Sequence, residues 1–257
     1  GQWSDVRVYD ADDLIHWIEL TPAVGLWLAT YLGKRPEGTT ELEAAWQEWS
    51  LSTKWPLTKD LVLRDRDESS AQVLQWLRGE PSVLSLQSTS SDEVVAFIWA
   101  TLAELPEESA LSYRARCLVV SEAAARTLKG AAAPLILILT DPNPGLAETL
   151  AKNGHFVAQT YDQTAEKHDD VLILERPSRG GIAAALTLAA VPEDQARSLA
   201  RDSARDLTVL RRRMPAAPGR NLPKWAEVSP PRALLAALLA GGWDEDHEAD
   251  KDCLSKL

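Results

Sequence analysis

Five short apolar runs decide what this chain can fold into. VLSL (83–86), RCLVV (116–120), PLILIL (134–139), FVAQT (156–160) and DVLILE (170–175) are mostly bounded by Pro, Gly or Asp. Runs this short, apolar at successive positions, read as strands buried on both faces rather than as helices. Helix-like stretches lie between several of them, at 92–103, 121–129 and 145–153. Short apolar strands alternating with helices predict an α/β fold, a mostly parallel sheet with flanking helices.

The flanks of this region read differently. Asp10 to Asp13 supply an N-cap and an acidic first turn ahead of LIHWIEL, and Pro22 opens PAVGLWLATYLG, which ends at Gly33. TELEAAWQEWS forms a third helix, with Thr40 and Glu43 at the spacing of a capping box. Eight of the ten Trp fall in the first 99 residues, several at helical spacing, which assigns them to helix packing. The competing reading is a groove that stacks on peptides or bases. From Pro56, LTKDLVLRDRDESSAQVLQWLRGE gives an extended approach and an amphipathic helix with Val73, Leu74 and Leu77 on one face. After Gly180-Gly181 every segment reads as helix, interrupted by Pro192, Pro215 and Pro230-Pro231. Three parts follow: a helical linker segment at 1–58, an α/β core at 59–180 and a helical subdomain at 181–257.

A net charge of −11 opposes a protein that coats nucleic acid or an acidic membrane. No apolar run reaches the roughly 18 residues needed to span a bilayer. Cys117 and Cys253 form no redox or metal pattern, so the expectation is a soluble, cytoplasmic protein with reduced thiols. Both ends read as cut, so the chain is expected to be a piece of a longer polypeptide. His16, His155, His168 and His247 lack metal-ligand spacing, no GxSxG occurs, and no catalytic or metal residues are assigned.

The loop QSTSSDE, residues 87–93, stands between the first apolar run and a helix, where a phosphate-binding loop would lie. Such a loop needs glycines so that backbone N–H groups can converge, a Lys for charge and a Ser or Thr for Mg²⁺. Residues 87–93 contain neither Gly nor Lys, and Asp92 and Glu93 occupy the helix N-terminus. Two carboxylates there satisfy the helix dipole and repel a triphosphate. If a nucleotide binds at all, Ser88, Thr89, Ser90 and Ser91 would meet its phosphates and Asp141 its metal.

The context of that loop resembles the opening of STAND and other NACHT-like P-loop NTPase domains. The residues that carry the likeness are Arg64 or Arg66, Asp67 or Glu68, Trp76-Leu77, and PLILILTD ending at Asp141, which is similar to a Walker B strand. The resemblance implies a three-layer P-loop-like core. The missing Gly-Lys-Ser/Thr, and the lack of a second carboxylate in TDPNP, depart from that pattern and speak against hydrolysis. EDQARSLARDSARDLTVLRRRMP is similar to a helix-turn-helix. In a DNA reader its second helix would present Arg205, Thr208, Arg211 and Arg212 to the major groove. With nearby acids and the chain's negative charge, the favoured reading is a winged-helix-like lid packed on the core. The run from VYDADDL to LLAGGWDE also resembles part of large bacterial defence-type proteins.

The expectation is therefore a non-catalytic regulatory module of a larger bacterial defence or signalling protein, without a cofactor. Its partners would be other domains of the same chain and further copies of itself. The alternatives are an active ATP/Mg-dependent NTPase with an atypical loop, and a DNA-binding transcriptional regulator.

Overall fold

The computed structural model describes residues 15, 18, 21–31, 36–128, 134–161 and 171–216. The expected features in LIHWIEL, at Gly33, in PRALLAALLAGGW and at Cys253 lie wholly or largely outside these residues. A six-stranded, mostly parallel mixed sheet forms the centre. Its strands are β1 (Thr39–Glu41), β2 (Val83–Gln87), β3 (Cys117–Val120), β4 (Ile136–Leu139), β5 (Phe156–Tyr161) and β6 (Val171–Ile173), in the spatial order β1-β3-β4-β5-β2-β6. β3, β4, β5, β2 and β6 are parallel to one another, and β1 closes the β3 edge antiparallel, pairing Thr40 with Val119.

The period of two in the strands sorts residues onto two helical layers. Cys117, Val119, Ile136, Ile138, Phe156 and Ala158 face one layer, and Leu118, Val120, Leu137, Leu139 and Val157 face the other. The second layer comprises α1 (Pro22–Tyr31), α7 (Glu122–Thr127) and α8 (Pro144–Lys152), through Leu26, Ala125, Ala147 and Leu150. The first holds α2 (Leu42–Leu51), α3 (Lys59–Leu63), α4 (Asp67–Arg78) and α5 (Ser91–Leu102). α6 (Glu107–Ala115) follows α5, and the first layer continues with α9 (Arg179–Leu188), α10 (Glu193–Asp202) and α11 (Leu207–Arg213). Nine of the twelve α5 residues are buried, so this helix is the axis on which the first layer packs.

Several expectations change. The segment 1–58 is not purely helical: Thr39–Glu41 is a strand, and α2 begins only at Leu42 with no side-chain cap. The capping box at Thr40 and Glu43 therefore does not form. The Glu43 carboxylate instead accepts from Trp99 Nε1 (2.7 Å) and Arg114 Nη1 (3.2 Å). Gly38 lets the chain enter β1 at φ +70°, where a Cβ would lie 2.1 Å from Ser121 Oγ. The approach to α4 is not extended either, because Thr58 caps the short helix α3. Residues 107–115 form a helix that the sequence reading left without structure.

α2 belongs to the core. Trp46 stacks on Trp99 of α5 with ring centroids 4.1 Å apart and planes 6° from parallel, and Trp49 tilts against Trp46 at 5.6 Å. This fits the packing role expected for these tryptophans. Trp46→Ala is expected to cost about 3–5 kcal/mol in urea unfolding, as a single transition. A change below about 1 kcal/mol would mean that α2 is a detachable linker.

Candidate functional site

In an open α/β sheet the natural binding crevice lies beyond the carboxyl ends of the strands, where the chain's direction of travel reverses. Here the chain leaves β2 through α5 on the first layer and reaches the far strand β3. It returns through α7 and α8 on the second layer to β5, beside β2. The loop after β2, residues 88–90, sits at this reversal.

Ser90 fixes where α5 starts. Its backbone is extended (φ −161°, ψ 155°) and its Oγ accepts from Glu93 N at 3.2 Å. That cap places Glu93 in the first turn, turned inward and only 4 % exposed. Ser88 Oγ donates to Glu93 Oε2 at 2.6 Å and Thr89 Oγ1 donates to the same oxygen at 3.2 Å. Arg66 Nη2 donates to Oε1 at 2.5 Å. Arg66 is itself 2 % exposed; its Nε donates to Glu175 O (2.7 Å), its Nη1 to Val62 O (3.3 Å), and its guanidinium lies near the Phe97 ring.

Burial alone would push the Glu93 carboxyl up. The Arg66 charge and the bonds from Ser88, Arg66 and Thr89 outweigh burial, holding it below its ordinary value. The pair is thus ionised and mutually neutralised. Its carboxylate takes up the hydroxyls of Ser88 and Thr89, which would meet phosphates if a nucleotide bound at all.

The remaining loop positions meet α11. Ser90 Oγ lies 2.9 Å from Thr208 Oγ1, and Thr89 Oγ1 lies 3.4 Å from it. Asp92, more than half exposed, pairs with Arg211 Nη1 at 3.0 Å, while Arg211 Nε donates to Ser52 Oγ at 3.0 Å. The turn from α10 to α11 holds two left-handed residues, Ala204 (φ 53°) and Arg205 (φ 67°), a conformation that costs roughly 1–2 kcal/mol each in non-glycine residues. Arg205 secures it by donating to Pro177 O (2.9 Å) and Arg176 O (2.6 Å), and Asp206 caps α11 through Thr208 N and Val209 N. Of the four side chains considered for DNA, Arg205, Thr208 and Arg211 are engaged inside the molecule. Arg212 is exposed.

Ser91, the first residue of α5, is not part of the hydroxyl cluster around Glu93. It lines a separate cleft of about 190 Å3 with Asp92, Thr140, Glu48, Trp49 and Arg211. Asp141 is exposed at the end of β4, where Thr140 Oγ1 donates to its carboxylate at 3.1 Å, and it does not line that cleft. The loop hydroxyls and Asp141 thus do not share one hollow. Next to Asp141, Asn143 caps α8 and its N–H donates to Gln159 Oε1 at 3.2 Å, an arrangement that builds a turn. Cys117 is fully buried and burial pushes its thiol up, so this thiol is not activated as a nucleophile. Among the described residues no cluster of His, Cys, Asp or Glu could hold a metal ion.

The importance of Arg66 was visible in sequence only as one of two candidate arginines, and nothing there distinguished Glu93 from Asp92. One step along a helix turns a side chain by about 100°, and the Ser90 cap decides which of the two faces inward. Glu93 contributes stability above the ordinary carboxylate range that is lost as the pH falls through its lowered folded value. Its side-chain carboxyl, followed by carbon-13 NMR, is expected to titrate below the ordinary 4.5; a midpoint above 4.5 would contradict the assignment.

No family model matches the chain, and neither a curated protein nor a solved structure matches it.

Proposed function

We propose that the chain is a non-catalytic regulatory module, a STAND-like core whose nucleotide loop has been given over to internal contacts. It would act as a switch that couples a sensor to an effector within a larger bacterial defence or signalling protein. The observation that carries this reading is the docking of α11 on the loop, through Thr208 on Ser90 and Arg211 on Asp92. A lid-like helix closed on the position of a phosphate loop is what a held, inactive arrangement requires.

Magnitudes say what kind of latch this is. The exposed Asp92–Arg211 pair contributes at most about 1 kcal/mol, and the hydroxyl contact about as much. Leu207 and Leu210 are fully buried and Met214 nearly so, each worth roughly 1.5–3 kcal/mol. The polar contacts therefore set where α11 docks and the apolar anchors set how firmly. Opening needs a trigger that supplies binding energy of similar size, from another domain of the chain or a further copy of it.

Hydrogen exchange tests the latch. Thr208→Ala/Arg211→Ala is expected to speed amide exchange in 207–213 by about tenfold while β3 and β4 are unchanged. Exchange of 207–213 only through global unfolding would show that α11 is a fixed part of the core. In parallel, Mg-ATP titrated against Trp fluorescence is expected to give no saturable change. A low-micromolar dissociation constant would replace the reading with that of an active NTPase.

A further inference from the structure

Among the described residues Arg66 is the only Lys or Arg that is buried. Two of its bonds go to main-chain carbonyls, of Val62 and Glu175, which carry no net charge. Its positive charge is met by Glu93. Around that carboxylate, donors arrive from separate parts of the chain: Arg66 between α3 and α4, and Ser88 and Thr89 after β2. One carboxylate oxygen is held by the guanidinium and the other by two hydroxyls. This is the donor set that would bind a free oxyanion, and none of these contacts depends on the carboxylate being tethered to α5.

We propose that the 88–93 loop retains an oxyanion-binding site, filled from within by the Glu93 carboxylate, and that removing this side chain opens the site to a free carboxylate or phosphate ion. An approach exists: Ser88, Thr89 and Glu93 line a second cleft of about 170 Å3, together with Glu175, Arg176 and Asp206. Two acidic residues against one Arg leave that further lining net negative, which favours small monoanions over polyphosphates. Glu93→Ala removes a carboxylate and one methylene beyond Cβ, a space that suits formate or acetate better than phosphate. The inference does not rest on the regulatory reading, since it concerns which ions the loop can hold, whatever the module does.

The test is chemical rescue, with sodium formate, acetate and inorganic phosphate as probes and sodium chloride at matched ionic strength as reference. Glu93→Ala is expected to melt lower than the native chain and to recover at least about 3 °C, saturably, with formate or acetate. The native chain and Glu93→Gln, whose amide keeps the site filled, are expected to show no saturable gain. Arg66→Met/Glu93→Ala should lose the recovery, because the guanidinium supplies the charge. If Glu93→Ala is unfolded in chloride and folds in formate, the proposal is supported. A variant that stays unfolded in all four salts, or gains no more than the native chain, overturns it.

Discussion

A guanidinium cannot be left alone in a protein interior, and the arrangement of the first helical layer follows from how Arg66 avoids that state. An unpaired buried charge costs several kcal/mol, so each nitrogen of Arg66 must find an acceptor. The acceptors come from α3, from the connection after β6 and from the first turn of α5. One side chain thereby ties together three segments far apart in sequence. The connection after β6 is then fastened along its length: Arg205 takes the carbonyls of Arg176 and Pro177, and the Asp65 carboxylate accepts from Ser178 N at 2.6 Å. α9 can start where it does because the four residues before it are held in this way.

The same pair explains the character of the loop. A loop built for phosphates keeps its donors available, whereas here Ser88 and Thr89 spend theirs on Glu93 and Ser90 spends its oxygen on the α5 cap and on Thr208. The outcome is a loop whose hydroxyls are all committed to partners within the protein. The docked helix is held by a few apolar anchors and two weak polar contacts, so it is the part best placed to move against an otherwise fixed frame.

The sheet was legible because its strands are apolar on both faces, so Val119, Ile138 and their neighbours stand out in any window. β1 was not, since Thr39–Glu41 is three residues long, polar at every position and defined only by its pairing with β3. α6 escaped because EESALSYRA has no apolar stripe and buries chiefly two alanines, Ala110 and Ala115. At the loop, the absence of Gly and Lys was legible, while the partners of its hydroxyls were invisible. Arg66 and Glu93 are 27 residues apart, and Thr208 is more than a hundred from Ser90. Only the assembled fold brings these side chains together.

The central claim is that Arg66 and Glu93 act as one buried unit, and a double-mutant cycle in urea measures this directly. Arg66→Met and Glu93→Met should each cost about 3–5 kcal/mol, since each strands its partner's charge. The double variant, with two thioethers in place of two ions, should cost no more than either single change. Costs that simply add would contradict the account, because they would show two side chains that contribute independently.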